Sequence, residues 1–143
     1  MPNHFHLLVK QVTESAVDHF MNSLSTRYVM YFNRKYKRVG PLYQGVYKAV
    51  IVKTDEQFIH LSAYIHRNPL DNKSKHELKG EALKKLITQP SSLPEYIGTR
   101  HSEWINTEEI LSFYSKKNRS LSYKNFILTS FHPSTLISDL TMD

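Results

Sequence analysis

Two histidines near the start of the sequence, His4 and His6, have the type and the spacing of metal ligands. Apolar residues alternate with other residues over residues 4–12, and this period of two predicts a strand. Alternate residues of a strand lie on one face, where two imidazoles can share a metal ion. The chain has eight histidines, so a chance pair is the alternative, with one histidine exposed and the other buried and hydrogen bonded.

A second candidate group lies on a predicted helix. Tyr64 and Asn68 are four residues apart and therefore share one helix face, and His60 lies one turn earlier on that face. A phenol, an amide and an imidazole would thus lie side by side. In the alternative interpretation, Tyr64 packs in the core with its hydroxyl hydrogen bonded, and Asn68 caps the end of the helix.

The sequence marks both ends of this helix. Thr54 and Gln57 have the spacing of a capping box, which predicts a helix that begins at Asp55. Pro69 disfavours helical geometry in the residue before it, so the helix is expected to end near Asn68. Its predicted apolar face consists of Phe58, Leu61 and Ile65.

Other elements follow from the same periodicities. A longer helix is predicted over residues 15–36, where apolar side chains recur every three or four residues and are expected to pack in a core. A turn is predicted at residues 39–41, and a second strand over residues 46–53, which are rich in β-branched and aromatic residues. Downstream of a polar linker, the pattern predicts helices over residues 76–87, after Asn106 and over residues 120–131, with a loop over residues 89–94.

The composition excludes several functional classes. The 143 residues fit one domain with a core, and 40% apolar and 22% charged residues argue against a disordered chain. Because the chain has no cysteine, disulfides, thiolate nucleophiles, Cys-ligated zinc and iron–sulfur clusters are excluded. No apolar run approaches the roughly 20 residues that a membrane span requires. The formal net charge of +6 indicates an anionic partner, with nucleic acid as the first candidate.

Basic and aromatic residues are interleaved between residues 27 and 48. Their cations can bind phosphates, and their tyrosines can stack on unpaired bases. The cations are Arg27, Arg34, Lys35, Lys37, Arg38 and Lys48, and the tyrosines are Tyr31, Tyr36, Tyr43 and Tyr47. The alternative is a solvated basic helix end, which suits the helix dipole, together with tyrosines packed in the core.

Residues 1–9, Met-Pro-Asn-His-Phe-His-Leu-Leu-Val, resemble a segment of the HUH single-strand DNA transposases. The resemblance is strongest to the branch of the REP-associated tyrosine transposases. Further matches follow in order at residues 25–28, 32–33, 40–45, 64–69, 91–92, 96–98, 104 and 109–111. The segment 40–45 contains Gln44, which the resemblance adds to the DNA-binding candidates. The HxH segment and the YxxxNP segment are specific when they occur together at this spacing.

The resemblance implies a chemistry. In the family, two histidines and a side chain one turn after the nucleophile hold a divalent cation, so His4, His6 and Asn68 are expected to bind Mg²⁺ or Mn²⁺. Tyr64 is the expected nucleophile, which attacks a phosphodiester of single-stranded DNA. The product is a 5′-phosphotyrosine and a free 3′-OH, and the reverse attack rejoins strands. A free phenol has a pKa of about 10, so a cation that polarises the phosphate suits this nucleophile.

The resemblance also implies a fold, a partner and a location. An α+β, ferredoxin-like catalytic domain is expected over residues 1–70, followed by a linker and a helical C-terminal region over residues 71–143. The expected partner is single-stranded or hairpin DNA, with no membrane, in the bacterial cytoplasm at the nucleoid. A catalytically inactive DNA-binding remnant is the alternative. A replication or conjugation nickase, and a helical domain with a chance HxH pair, are further alternatives.

This sequence departs from the family at two places. In the family the HxH segment is internal, preceded by a strand, a helix and a strand, whereas here the chain begins at Met1. The predicted fold therefore lacks these elements and has an open sheet edge, from which marginal stability and self-association through β pairing are expected. Val46 stands where relatives often carry a basic residue, so one phosphate contact is not expected there.

Overall fold

The computed structural model describes residues 4–68 and 80–129. Their helices are α1 (Ala16–Tyr36), α2 (Asp55–Arg67), α3 (Gly80–Thr88), α4 (Leu93–Tyr96), α5 (Glu108–Leu111) and α6 (Tyr123–Thr129), with a 3₁₀ turn at Arg119–Leu121. In the described parts of the chain, no helix combines the length and the apolar composition that crossing a membrane requires. The chain divides into two compact units, one comprising Met1–Leu7 and Val50–Asp143 and the other Leu8–Ala49.

The prediction of an α+β, ferredoxin-like fold is wrong, since residues 4–68 and 80–129 contain helices and no strand. Both predicted strands, at residues 4–12 and 46–53, form no regular element. A period-two pattern becomes a strand only where a neighbouring strand completes the hydrogen-bond ladder. Within these described residues there is therefore no sheet edge, and self-association through β pairing stays a prediction.

Helix α2 begins and ends where the sequence predicts. The Thr54 side chain accepts a hydrogen bond from the Gln57 backbone N–H at 3.1 Å, and the Gln57 side chain accepts one from the backbone N–H of Lys53 at 3.0 Å. These bonds satisfy backbone donors at the helix start. At the other end, the backbone N–H of Asn68 donates to the carbonyl of Tyr64. The cap residues thus fix the register of the helix.

The buried face of α2 differs from the predicted one. The residues Phe58, Leu61 and Ile65 are half-buried, whereas the fully buried positions are Ser62, Ala63, His66 and Arg67. Helix α2 packs with this largely polar face against α5 and α6. Buried polar groups require hydrogen-bond partners, and these come from side chains far along the sequence.

The hydrophobic core lies in the unit that contains α2. Its fully buried members are Ala63, Leu86, Leu93, Ile110, Tyr123 and Ile127. Apart from Ala63, these residues lie downstream of residue 80, on α3 to α6. The C-terminal helices therefore supply most of the interior against which α2 packs.

The other unit is built around α1, which confirms the helix predicted over residues 15–36. The predicted core stripe is wrong, because no residue of α1 is buried. Its members Val17, Met21 and Leu24 are half-buried, and Tyr31 is 57% exposed. At the predicted turn, Gly40 has a φ of 94°, in the left-handed region that favours glycine, and its carbonyl accepts a hydrogen bond from the Asn33 side chain.

The downstream predictions are confirmed in part. A helix is present at Gly80–Thr88, and the start of the segment predicted at 76–87 lies outside the described residues, as does the predicted domain boundary after residue 70. The helix expected after Asn106 is the short α5, and the 120–131 segment contains α6. The predicted loop over residues 89–94 is wrong at its end, since α4 begins at Leu93. A proline in the first turn of a helix is compatible with helical geometry, which accounts for Pro94.

A buried carboxylate in an ion pair fixes the loop after α4. The side chain of Glu95 is 4% exposed and accepts two hydrogen bonds from Arg100, at 2.6 and 2.8 Å, and one from Ser102 at 2.6 Å. The Arg100 guanidinium beside it is the main cause that lowers the pKa of Glu95 to about 2. The pair therefore stabilises the fold when this carboxylate is ionised.

Replacing Arg100 with Met is expected to lower the urea midpoint of unfolding at pH 7, because the carboxylate of Glu95 then lacks two of its hydrogen-bond donors. A depressed pKa contributes stability above the ordinary pKa of 4.5 that is lost as the pH falls towards 2. Urea unfolding between pH 7 and 3 measures both effects, with the exposed Lys116→Met as the control. Equal midpoints for the two variants at pH 7 would contradict the prediction.

Candidate functional site

The structure brings the predicted nucleophile and the predicted metal ligands together within one unit. The Asn68 side-chain N–H donates to Nε2 of His6 at 3.2 Å. The ring centre of His6 lies 6.2 Å from that of Tyr64 and 5.1 Å from that of His4, and both pairs meet edge to face. Two imidazoles, a phenol and an amide thus lie beside one another, although 62 residues separate His6 from Asn68.

Helix geometry explains one half of this arrangement. Tyr64 and Asn68 lie one turn apart on the same face of α2, as their spacing predicts. Asn68 also ends the helix, but its backbone N–H does this, so its side chain reaches His6 instead. His60, one turn before Tyr64, packs its ring against Phe126 at 5.3 Å between ring centres. The predicted face therefore brings Tyr64 and Asn68 towards His6, and His60 packs on α6.

The donor set of this site fits a hard or borderline divalent cation. Since the Asn68 amide N–H can only donate, Nε2 of His6 carries the lone pair that accepts it. That lone pair is the one an imidazole uses to bind a metal, and the amide also carries an oxygen that suits Mg²⁺ or Mn²⁺. Within residues 4–68 and 80–129, no group of three or more His, Asp or Glu side chains is placed to hold a metal. The candidate set has two histidines and one amide.

A buried hydrogen-bond network on α2 involves a residue that the sequence analysis did not single out. His66 is 3% exposed, and its Nδ1 lies 2.7 Å from the hydroxyl of Tyr123 and its Nε2 2.9 Å from the hydroxyl of Ser92. The Tyr123 hydroxyl in turn donates to Ser62 at 3.1 Å. Burial lowers the pKa of His66 to about 4, so the imidazole is neutral at pH 7. In the sequence, the only signal for a role of His66 is its position between Tyr64 and Asn68.

The predicted DNA-binding residues lie on the other unit. Seven of them are exposed, namely Arg27, Arg34, Lys35, Lys37, Arg38, Gln44 and Lys48, and Tyr43 is half-buried. Arg34 and Lys35 lie in the last turn of α1, where cations also interact favourably with the helix dipole. Lys37 follows in the left-handed conformation that ends the helix. The end of α1 therefore presents a compact set of solvated cations.

Aromatic rings lie among these cations. The ammonium of Lys35 is 5.6 Å from the ring centre of Tyr31 and 5.5 Å from that of Tyr36, and hydrogen bonding to Tyr31 is the main cause that raises its pKa. The guanidinium of Arg38 lies 5.7 Å from the ring centre of Phe32. Such cation–π contacts hold the long side chains close to exposed aromatic faces.

Two other tyrosines of this unit, Tyr43 and Tyr47, contact neighbouring side chains. The rings of Tyr28 and Tyr43 lie 6.4 Å apart, and burial is the main cause that raises the pKa of the Tyr43 phenol. The Tyr47 hydroxyl donates to Asp18, which raises the pKa of Tyr47. Tyr31 and Tyr36, at 57% and 54% exposure, remain the more accessible rings.

Comparison with known proteins finds a family similarity in the N-terminal part of the chain. Residues 1–68 match the model of a family described as IS200-like transposases. The matched segment contains all four residues of the candidate site and ends at Asn68. No curated protein and no solved structure matches the chain. Residues 1–68 are therefore similar to the IS200-like transposases.

Proposed function

We propose that the protein cleaves and rejoins single-stranded DNA with Tyr64 as the nucleophile. The observation that supports this is the grouping of Tyr64 with His4, His6 and Asn68 at one end of α2. A phenol beside a nitrogen and oxygen donor set has the components of metal-assisted phosphodiester cleavage. The family of residues 1–68 agrees with DNA as the substrate.

In the proposed reaction, the Tyr64 phenol oxygen forms a bond to phosphorus and gives up its proton. The bond between phosphorus and the 3′-oxygen of the upstream nucleotide breaks, and that oxygen takes up a proton to become a free 3′-OH. The downstream strand stays attached as a 5′-phosphotyrosine. Attack by a 3′-OH on this ester reverses the exchange and joins strands, so the number of phosphodiester bonds is preserved without a nucleotide cofactor.

His4, His6 and Asn68 would hold the Mg²⁺ or Mn²⁺ that this chemistry uses. When bound, such an ion polarises a phosphate oxygen and stabilises the charge that develops on the leaving oxygen. The contribution of these three residues is the position in which they would hold the ion. His6 and Asn68 are in hydrogen-bond contact, so both lie close enough to serve one ion, for which the Asn68 amide would exchange this hydrogen bond and turn its oxygen towards the ion.

The cations at the end of α1 are proposed to bind the phosphates of the DNA. Exposed rings among them, such as Tyr31 and Tyr36, can stack on bases, and bases are free to stack only where the strand is unpaired. This combination favours single-stranded or hairpin DNA over a plain duplex. Electrostatic binding of this kind weakens with salt.

A covalent-adduct assay tests the proposed activity. The protein is incubated with Mn²⁺ or Mg²⁺ and a hairpin oligonucleotide with a single-stranded extension, labelled at either its 5′ or its 3′ end. A denaturing gel is expected to show an adduct that retains the 3′ label and loses the 5′ label, and that disappears with EDTA. Salt-sensitive binding without an adduct would instead identify a DNA-binding remnant.

Replacing Arg34, Lys35, Lys37 and Arg38 together with Ala is expected to weaken binding to the hairpin by at least tenfold at low salt. The slope of log K against log salt should decrease by about 0.7 for each phosphate of a single strand that the variant no longer neutralises. Fluorescence anisotropy over a salt series measures both quantities. The matched control removes two exposed cations elsewhere, Lys116 and Lys117. An unchanged slope in the α1 variant would contradict this assignment.

A further inference from the structure

We infer that His66 is a positioning residue for Tyr64 and Asn68, held in place by Ser92 and Tyr123 of the C-terminal region. This inference rests on the proposed function, because it concerns the geometry of the same site. It gives the C-terminal helices a part in the site, although residues 69–143 lie outside the segment that matches the family.

The first step is the geometry of α2. Successive residues of a helix are rotated by about 100°, so His66 points about 200° away from both Tyr64 and Asn68. Tyr64 and Asn68 lie on the side of His6, and His66 lies on the opposite side, in the interior. A rotation of α2 about its axis would therefore move His66 and the two site residues together.

The second step is that both ring nitrogens of His66 are fixed. Because the Tyr123 hydroxyl donates to Ser62, its oxygen accepts from Nδ1–H of His66. Nε2 then accepts from the hydroxyl of Ser92. The Ser62 hydroxyl donates in turn to the backbone carbonyl of Ile59 at 2.7 Å. Every donor in this hydrogen-bond network therefore has one acceptor, and the His66 imidazole at its centre is neutral.

The third step concerns what such a network does that apolar packing does not. An aliphatic side chain at this position would gain burial but would permit small rotations and slides of the helix. Two hydrogen bonds to a planar ring define its orientation, and buried groups in a low dielectric incur a penalty when such bonds are broken. The His66 ring also meets two tyrosine rings edge to face, Tyr96 at 4.9 Å and Tyr123 at 5.9 Å between ring centres. These contacts restrict the orientation of the His66 ring further.

The partners of His66 come from two separate elements. Ser92 directly precedes α4, and Tyr123 begins α6. Tyr123 is 2% exposed and belongs to the hydrophobic core, so its hydroxyl is anchored by the packing of its ring. The orientation of α2 is thus set by a core that is built mostly downstream of residue 80.

The test uses the full chain with His66→Leu, Tyr123→Phe and the double variant, all assayed well below their melting temperatures. With saturating hairpin DNA, His66→Leu is expected to lower the single-turnover rate of adduct formation by about 10- to 100-fold, with the Kd for DNA unchanged. Mn²⁺ affinity, measured by calorimetry without DNA, is expected to fall about tenfold. The double variant should lose no more than His66→Leu alone, because the residues act as a unit.

Asn118→Ala is the control, since it removes the side-chain cap of the 3₁₀ turn in the same C-terminal region, and the hydrogen bond that it removes goes to the Ser120 backbone N–H and lies outside the His66 network. It is expected to keep the wild-type rate and Mn²⁺ affinity. A folded His66→Leu protein with the wild-type rate and Mn²⁺ affinity would overturn the inference, as would an equal loss in Asn118→Ala. If the wild-type protein forms no adduct but His66→Leu weakens Mn²⁺ binding, the proposed function fails and the positioning role stands. Failure of the wild-type protein to bind Mn²⁺ and to form an adduct overturns both.

Discussion

Replacing Tyr64 with Phe is expected to abolish the covalent protein–DNA adduct while DNA binding remains. The substitution removes one oxygen atom, and that atom is the proposed nucleophile. Removing the nucleophile of an enzyme that works through a covalent intermediate typically lowers the rate by more than about 10³-fold. The ring that faces His6 is kept, so the fold and the Mn²⁺ affinity should change little. Denaturing gels measure the adduct, and anisotropy measures the Kd for the same hairpin.

Tyr114→Phe provides a matched control for this experiment. Tyr114 also loses a single hydroxyl, and within the described residues that hydroxyl is buried without a hydrogen-bond partner. Its removal is expected to leave the stability unchanged or to raise it, and to leave the adduct intact. An adduct of undiminished yield in Tyr64→Phe would assign the nucleophile to another residue. A loss of adduct in both variants would attribute the effect to the fold.

Local signals predicted the helix that carries the nucleophile. Capping by Thr54 and Gln57 and termination near Asn68 depend on residues within one turn of each other, so the sequence is sufficient to define them. The placement of Tyr64 and Asn68 on one face follows from the same regular geometry. The length of α1 was equally predictable, because its apolar period extends over the whole helix.

Contacts between distant residues were not predictable in this way. His6 meets Asn68 across 62 residues, and only the resemblance to a family suggested that pair. The partners of His66 lie 26 and 57 residues away, and no local pattern indicates that the polar side of α2 is the buried one. The same limit explains the two wrong strands, because alternation describes a strand's faces and says nothing about its neighbours.

These errors have a common physical cause. Hydrophobic periodicity identifies the buried face of an element only when apolar burial determines the packing. On α2 the buried side chains of Ser62 and His66 are held by hydrogen bonds, and half-buried residues such as Phe58 pack at the edge of the core. A polar buried face has the hydropathy of an exposed one, so the sequence pattern points to the wrong side.

The buried histidine also makes stability depend on pH, and this is the second large effect that we expect. Burial lowers the pKa of His66 from 6.5 to about 4, so the unfolded chain takes up the proton first. Stability from this group is therefore complete above pH 6.5 and is lost as the pH falls towards 4. The difference between the two pKa values corresponds to about 3 kcal/mol. Urea unfolding at half-unit steps from pH 7 to pH 4 measures this loss.

His66→Gln separates this contribution from every other titrating group. Glutamine keeps a polar side chain but has no proton to gain, so the variant should be less stable than the wild type at pH 7 and should approach it as the pH falls to 4. His101→Gln, at an exposed position, is expected to retain the wild-type profile. Glu95 is present in the wild type and in both variants, so its contribution to stability is the same in all three proteins. That contribution is lost only below pH 4.5, largely outside the range from pH 6.5 to 4 in which His66 acts. Parallel profiles for wild type and His66→Gln between pH 6.5 and 4 would show that His66 is not held neutral by burial.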